Sequence, residues 1–212
     1  MMTQICNIRT LTDAQIAAVA HALSGGAVAV YATDTVYGIG TGAFCEDSVQ
    51  RIYTLKNRPA GQPLQLLVGS LLHALKIASF GPGALHAAQV FWPGGLTLIV
   101  PPSPAGKPLL RGSQALGIRV PAHLQLLRIL VQMNMPLAST SANLHGQAVL
   151  TREEDVLDFF DGKVEYILTD GTLSPLASTV LDATCLPYTV LRAGSIDPEE
   201  LRCVYEDVED YL

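Results

Sequence analysis

At 212 residues, 49% of them hydrophobic, the chain has room for one large domain or two small ones with a sizeable core, which excludes a disordered protein. A net charge of −6 and a pI near 5.2 argue against a broad polyanion-binding surface, although they leave a local basic pocket open. No apolar run is long enough to span a bilayer and residues 1–10 lack the basic-then-apolar pattern of a signal peptide, so a cytoplasmic protein is expected.

Taken in order, Thr12 reads as an N-cap before a helix with Ile16, Val19, Ala20 and Leu23 on one face, stopped by Gly25-Gly26. A buried strand follows at 27–31 and delivers Thr33-Asp34-Thr35 to a turn. Glycines 38, 40 and 42 then let the backbone pass close to a neighbour, and a helix over 48–55 brings back Lys56 and Arg58. Two prolines around Gly61 make 59–63 a loop, and 64–68 is the next strand. Short helices are predicted at 70–79 and 83–90, a turn with the single tryptophan at 91–95, and a strand at 96–100. After a Pro-rich loop at 101–106, residues 116–121 read as a strand and 122–133 as an amphipathic helix burying Leu124, Leu127, Ile129 and Leu130. An extended segment from Pro136 runs into Ser139-Thr140-Ser141-Ala142-Asn143. A helix capped by Thr151 covers 153–160, strands cover 164–168, 178–182 and 189–191, and an acidic helical tail starts at Pro198. Helices and strands alternate until the late cluster of strands, which favours an α/β fold with a mixed, twisted, partly open sheet and flanking helices. No repeat, linker or composition shift divides residues 1–212, so one domain is expected.

The common signatures are missing. The glycine passage is not G-x-G-x-x-G, and neither a G-x-x-x-x-G-K-[ST] loop nor a G-x-S-x-G elbow occurs. The four cysteines (6, 45, 185, 203) contain no C-x-x-C pair and read as free thiols; the five histidines are dispersed, and no dedicated metal box exists. What remains is a set of polar tips on apolar elements. Lys56 and Arg58 end a helix, either as solvated charges at the negative dipole end or as phosphate partners. Arg119, between Ile118 and Val120, requires a carboxylate if buried, supplied by a side chain or by a ligand. Ser139, Ser141 and Asn143 form a hydrogen-bonded turn or a set of neutral donors for phosphate oxygens or magnesium-bound water. Ser178 opens a strand and Arg192 closes one, which together suggest a pocket at one rim of the sheet.

These segments in sequence resemble the YrdC-like family, the threonylcarbamoyl-AMP synthases. The resemblance rests on Thr33-Asp34-Thr35-Val36-Tyr37-Gly38, Lys56-x-Arg58-Pro59, Trp92-Pro93-Gly94, Arg119-Val120-Pro121, Ser141-Ala142-Asn143, Ser178-Thr179-Val180-x-Asp182 and Leu191-Arg192-x-Gly194. It covers nearly the whole chain; no piece is specific alone, and the ordered set is. Departures are Ala32 where the family usually has Pro, Ile39 for Leu, Gly95 for Pro and Gln62 for Asn or Lys.

The resemblance implies a twisted sheet with a deep positive cavity, and formation of threonylcarbamoyl-adenylate and pyrophosphate from L-threonine, bicarbonate and ATP, with Mg2+, for the threonylcarbamoyladenosine of tRNA. Lys56 and Arg58 would neutralise the triphosphate, and Ser141 and Asn143 would touch phosphates or magnesium-bound water. Ser139 would hold adenylate atoms or the carbamate, Gln62 and Arg192 would lie along the nucleotide, and Arg119, Thr35 and Ser178 would seat threonine. Tight positioning and charge stabilisation would carry most of the chemistry. The expected partners are proteins that transfer the threonylcarbamoyl group to tRNA; tRNA binding by the chain itself has weak support. Ending soon after Gly194, the chain resembles the short, single-domain members. Alternatives are a YciO-type paralogue poor in adenylate synthesis, a double-stranded-RNA or ribosome-binding module on the same fold, and a carbamoyl-transfer domain like those of hydrogenase maturation proteins.

Overall fold

The computed structural model describes residues 2–59, 61–144 and 146–209; Ala60 of the expected loop and His145 lie outside that set. The first third of the chain holds β1 (Gln4–Asn7), α1 (Asp13–Ser24), β2 (Ala29–Tyr31), β3 (Gly38–Gly42), α2 (Glu46–Leu55) and β4 (Gln65–Leu67). The middle holds α3 (Leu71–Ile77), α4 (Pro82–Phe91), β5 (Leu96–Val100), β6 (Leu116–Arg119), α5 (Leu124–Met133) and β7 (Leu137–Ser141). The last part holds α6 (Glu153–Phe160), β8 (Tyr166–Thr169), β9 (Thr179–Asp182), β10 (Thr189–Arg192) and α7 (Pro198–Glu209).

Among the described residues the strands form one open sheet in the order β1-β8-β2-β3-β7-β4-β6-β5-β9-β10. Its pairings are mixed: β8 is parallel to β1 and β2, β4 to β6 and β5 to β9, whereas β3 lies antiparallel between β2 and β7. The expected mixed α/β sheet is therefore the observed one. Two apolar clusters hold the helices to it. One joins Ile16, Val19 and Leu23 of α1 to Leu126, Ile129 and Leu130 of α5; the other joins the small residues Ala84, Ala87 and Ala88 of α4 to Leu201 and Tyr205 of α7.

Local chemistry explains most helix ends. Thr12 caps α1 in a reciprocal box, accepting from the Gln15 amide while the Gln15 side chain accepts from the Thr12 amide. Pro82 sits in the first turn of α4, where a missing N–H does no harm. Two expectations are corrected. Thr151 is not a cap: α6 starts after Arg152 with no side-chain cap, and Glu153, Glu154 and Asp155 meet the positive dipole end instead. Leu124 is 71% exposed, because the buried stripe of α5 runs through Leu126, Ile129, Leu130 and Met133, one helical face.

The glycine passage is a strand, and its neighbour is the protein itself. A Cβ on Gly38 would lie 2.8 Å from the Tyr31 ring, and one on Gly40 would lie 2.6 Å from the Tyr31 hydroxyl and 2.7 Å from the Ala138 carbonyl. Side chains here would push the Tyr31 ring out from under β3, so glycine is set by packing rather than by a bound phosphate. The fold thereby brings the tip of Tyr31 onto Ser139 of β7.

Candidate functional site

Where β6 and β7 end and β3 and β9 begin, the sheet opens into a cavity of ≈ 560 Å³, within the range that encloses a small-molecule ligand. Thr35, Arg58, Arg119, Ser139, Ser141, Ser178 and Arg192, far apart in sequence, all line it. Lys56, Gln62 and Asn143 are not in its wall.

Ser139 is fixed by Tyr31, whose hydroxyl donates to Ser139 Oγ at 2.5 Å. Burial raises the Tyr31 pKa, so the phenol remains a donor. Because Ser139 Oγ accepts there, its own proton remains available to another partner. Tyr31 was read from sequence only as a strand residue; fully buried and outside the cavity wall, it braces Ser139 from behind.

Arg119 is 3% exposed, and the structure answers the question of its partner with a side chain. Nη2 donates to Asp34 Oδ1 at 2.6 Å, Nη1 to Thr35 Oγ1 at 2.9 Å, and Nε to the Gly94 carbonyl at 2.8 Å. Burial pushes its pKa down, and the charge of Asp34 offsets this in part. A guanidinium has five N–H groups, so two remain for a ligand. The turn at 91–95 is what makes the Gly94 carbonyl available: Trp92 Nε1 bonds the Leu96 carbonyl at 2.7 Å, and the Gly94 amide bonds Val120 at 2.8 Å.

Arg192 donates through Nε and Nη2 to the Ser178 carbonyl and through Nη2 to Ser178 Oγ at 2.9 Å. Ser178 Oγ also lies 2.9 Å from Thr97 Oγ1, which donates to Gln65. Burial lowers the Arg192 pKa, and the charge of Arg119 lowers it further, so the two guanidiniums feel each other across the cavity. Thr179 holds the turn after β10 in place by accepting the Gly194 and Ile196 amides. A Cβ on Gly194 would lie 2.3 Å from the Ala177 carbonyl, so Leu191-Arg192-x-Gly194 is a docking turn that delivers Arg192.

Arg58 reaches the cavity with Nη1 on Thr140 Oγ1 and Nη2 on the Pro63 carbonyl, while its buried Nε has no partner. Lys56 is 2% exposed and bonds the carbonyls of Ser141 and Asn143 and, at 3.3 Å, Asn143 Oδ1. Burial, then the charge of Arg58, pushes its pKa down from 10.5 to about 8. Ser141 Oγ donates to Asn143 Oδ1 at 2.5 Å, and the Asn143 amide donates to the Leu144 and Gln147 carbonyls. Gln62 offers its carbonyl to Tyr53, and Gln65, three residues on, is the glutamine that lines the cavity. Asp34 and Gly94 were read from sequence only as parts of motifs, and Thr97 and Gln65 were given no role, since only the fold sets these groups beside Arg119 and Ser178. Three arginines on one cavity, with hydroxyls between them, make a site for a polyanion rather than for a neutral metabolite.

Comparison with known proteins finds clear relatives. A family profile described as telomere recombination, Sua5/YciO/YrdC, matches residues 21–194. The chain is 34% identical over 211 residues to the threonylcarbamoyl-AMP synthase of Pyrococcus abyssi, covering 98% of this chain and 62% of that protein. It is 34% identical over 196 residues to the threonylcarbamoyl-AMP synthase of Bacillus subtilis, covering 91% of this chain and 57% of that one. The crystal structure of P. abyssi Sua5 complexed with L-threonine superimposes with a TM-score of 0.88 at 33% identity, over 97% of this chain and 62% of that chain. The chain thus spans about three-fifths of the length of these relatives.

Proposed function

The chain belongs to the Sua5/YciO/YrdC family, and on that premise we propose that it is a threonylcarbamoyl-AMP synthase, an enzyme of the nucleotidyltransferase type. The observation that supports this best is the meeting of Arg58, Arg119 and Arg192 on one cavity sized for a nucleotide with an amino acid beside it. Binding of L-threonine by P. abyssi Sua5 supports threonine as the amino acid.

In this reading the free N–H groups of Arg119, together with Thr35, receive the threonine carboxylate, and Ser178 meets its amine or hydroxyl. Arg58 and Arg192 lie against the phosphates, and Ser139 donates to the adenylate or to the carbamate. The threonine amine, once deprotonated, bonds to the carbon of bicarbonate with loss of water and forms a carbamate. A carbamate oxygen then attacks the α-phosphorus of ATP; the bond to the bridging oxygen breaks and pyrophosphate leaves. The cations act by holding the reactants in line and by meeting the developing charge. Magnesium would arrive on the triphosphate and screen its charge. Among the described residues no three His, Cys, Asp or Glu side chains gather as a metal centre, and Mg2+ commonly sits on substrate phosphates and water with few protein ligands. Ser141 Oγ, with its own proton on Asn143, is an acceptor for such a water.

Residues 1–212 would act as one YrdC-like unit in the cytoplasm, beside the proteins that carry the product to tRNA; among the described residues no helix is long and apolar enough to cross a membrane. The deciding measurement is pyrophosphate release from ATP with threonine and bicarbonate, each omitted in turn. Release that requires both is expected. ATP-independent, steeply salt-dependent tRNA binding without release would point to the RNA-binding module, and neither activity would point to a YciO-type paralogue.

A further inference from the structure

Of the four side chains Lys56, Arg58, Ser141 and Asn143, only Arg58 and Ser141 reach the cavity. Lys56 has three N–H donors and three oxygens to receive them, the carbonyl of Ser141 at the end of β7 and the carbonyl and amide oxygen of Asn143 in the turn that follows. Asn143 is equally committed: Oδ1 accepts from Lys56 and Ser141, and Nδ2 donates to two carbonyls. Neither side chain has a hydrogen-bonding group left for a ligand. The proton of Ser141 is drawn inward by the same amide oxygen, which leaves the Ser141 oxygen facing the cavity as an acceptor.

We propose that Lys56 and Asn143 are positioning residues, a buried clamp that sets the Ser141 turn from behind, and that Arg58 is the cation of this set that meets phosphate. The proposal rests on the adenylate-forming reading given above. A cation behind the wall fixes carbonyls at one point in space, which a planar guanidinium cannot do for three convergent oxygens.

Lysine methylation of the native protein, read by mass spectrometry with and without ATP, tests burial directly. Lys76, Lys107 and Lys163 are exposed and should react, while Lys56 should stay unmodified in both conditions. Reaction of Lys56 in the nucleotide-free protein overturns the clamp. The second test compares Lys56→Met with Arg58→Met in binding of ATP and of AMP. Lys56→Met should keep the ATP-over-AMP preference within about twofold while kcat falls about 100-fold, the penalty of a misplaced reacting group. Arg58→Met should reduce that preference about tenfold or more, the size of a lost charge-assisted bond to phosphate. Collapse of the preference in Lys56→Met, or recovery of kcat in Lys56→Arg to near the parent value, overturns the proposal. Where Lys56→Met does not fold, the methylation pattern decides. A wild-type protein that releases no pyrophosphate would sink the functional reading and leave the methylation result to stand by itself.

Discussion

A guanidinium on a strand, between Ile118 and Val120 in sequence and paired across the ladder with Leu67, is tolerable only because each of its nitrogens has an oxygen. That Arg119 needed a carboxylate was legible from its apolar flanks. That the carboxylate is Asp34, and that the Gly94 carbonyl takes the third nitrogen, was not, because these groups come from three elements with no local sequence relation. Lysine would hold the charge but cannot serve Asp34, Thr35 and Gly94 in one plane and also, in the proposed role, a threonine carboxylate. Arg119→Lys should therefore raise the KM for threonine about tenfold or more and leave the KM for ATP nearly unchanged, as read from pyrophosphate release. An unaltered threonine KM would remove Arg119 from the amino-acid subsite.

At the scale of elements, the helices and the apolar strands β2, β5, β6 and β9 were readable because periodicity and caps agree with the tertiary packing. Two strands were not. β1 has mostly exposed side chains and gains its structure from β8, about 160 residues away, so no local pattern announces it. β3 is Gly-Ile-Gly-Thr-Gly, the composition of a loop; it is held as a strand by β2 and β7 and by the Tyr31 ring beneath it. The same contact predicts an unusual cost for a small change. Gly40→Ala should destabilise the protein by about 2–3 kcal/mol, since the added methyl meets both a hydroxyl and a backbone carbonyl that cannot withdraw. Tyr31→Phe, which removes only the bond to Ser139, should cost about 1 kcal/mol. Urea unfolding midpoints of the two variants give the comparison, and equal losses would mean that β3 relaxes around the methyl.

For the molecule as a whole, the buried ammonium of Lys56 ties stability to pH. Its folded pKa, about 8, lies below the unfolded 10.5, so between those values the unfolded chain binds a proton that the native protein has released. Stability from this group is full above 10.5 and is lost as pH falls through about 8, a total of about 3 kcal/mol. Burial raises the pKa of Tyr31, which works in the opposite direction once pH passes its ordinary value of 10.0. From about pH 7.5 to about pH 9.5 the parent protein should gain about 2 kcal/mol relative to Lys56→Met, measured by urea unfolding at each pH. Parallel stability curves would show that Lys56 keeps its ordinary affinity for protons.

The strand order also sets a timetable for biosynthesis. β2 and β3 emerge early and pair with each other, yet the other border of each depends on later company: β2 on β8, which ends at Thr169, and β3 on β7. A nascent polypeptide therefore carries unpaired edges until β7 and β8 have emerged, a stage at which non-local sheets are most exposed to wrong association. Because Arg192 is translated last of the three cavity arginines, the pocket lacks its full set of guanidiniums until residue 192 has been made, and a polyanionic ligand can favour only chains that have passed that point.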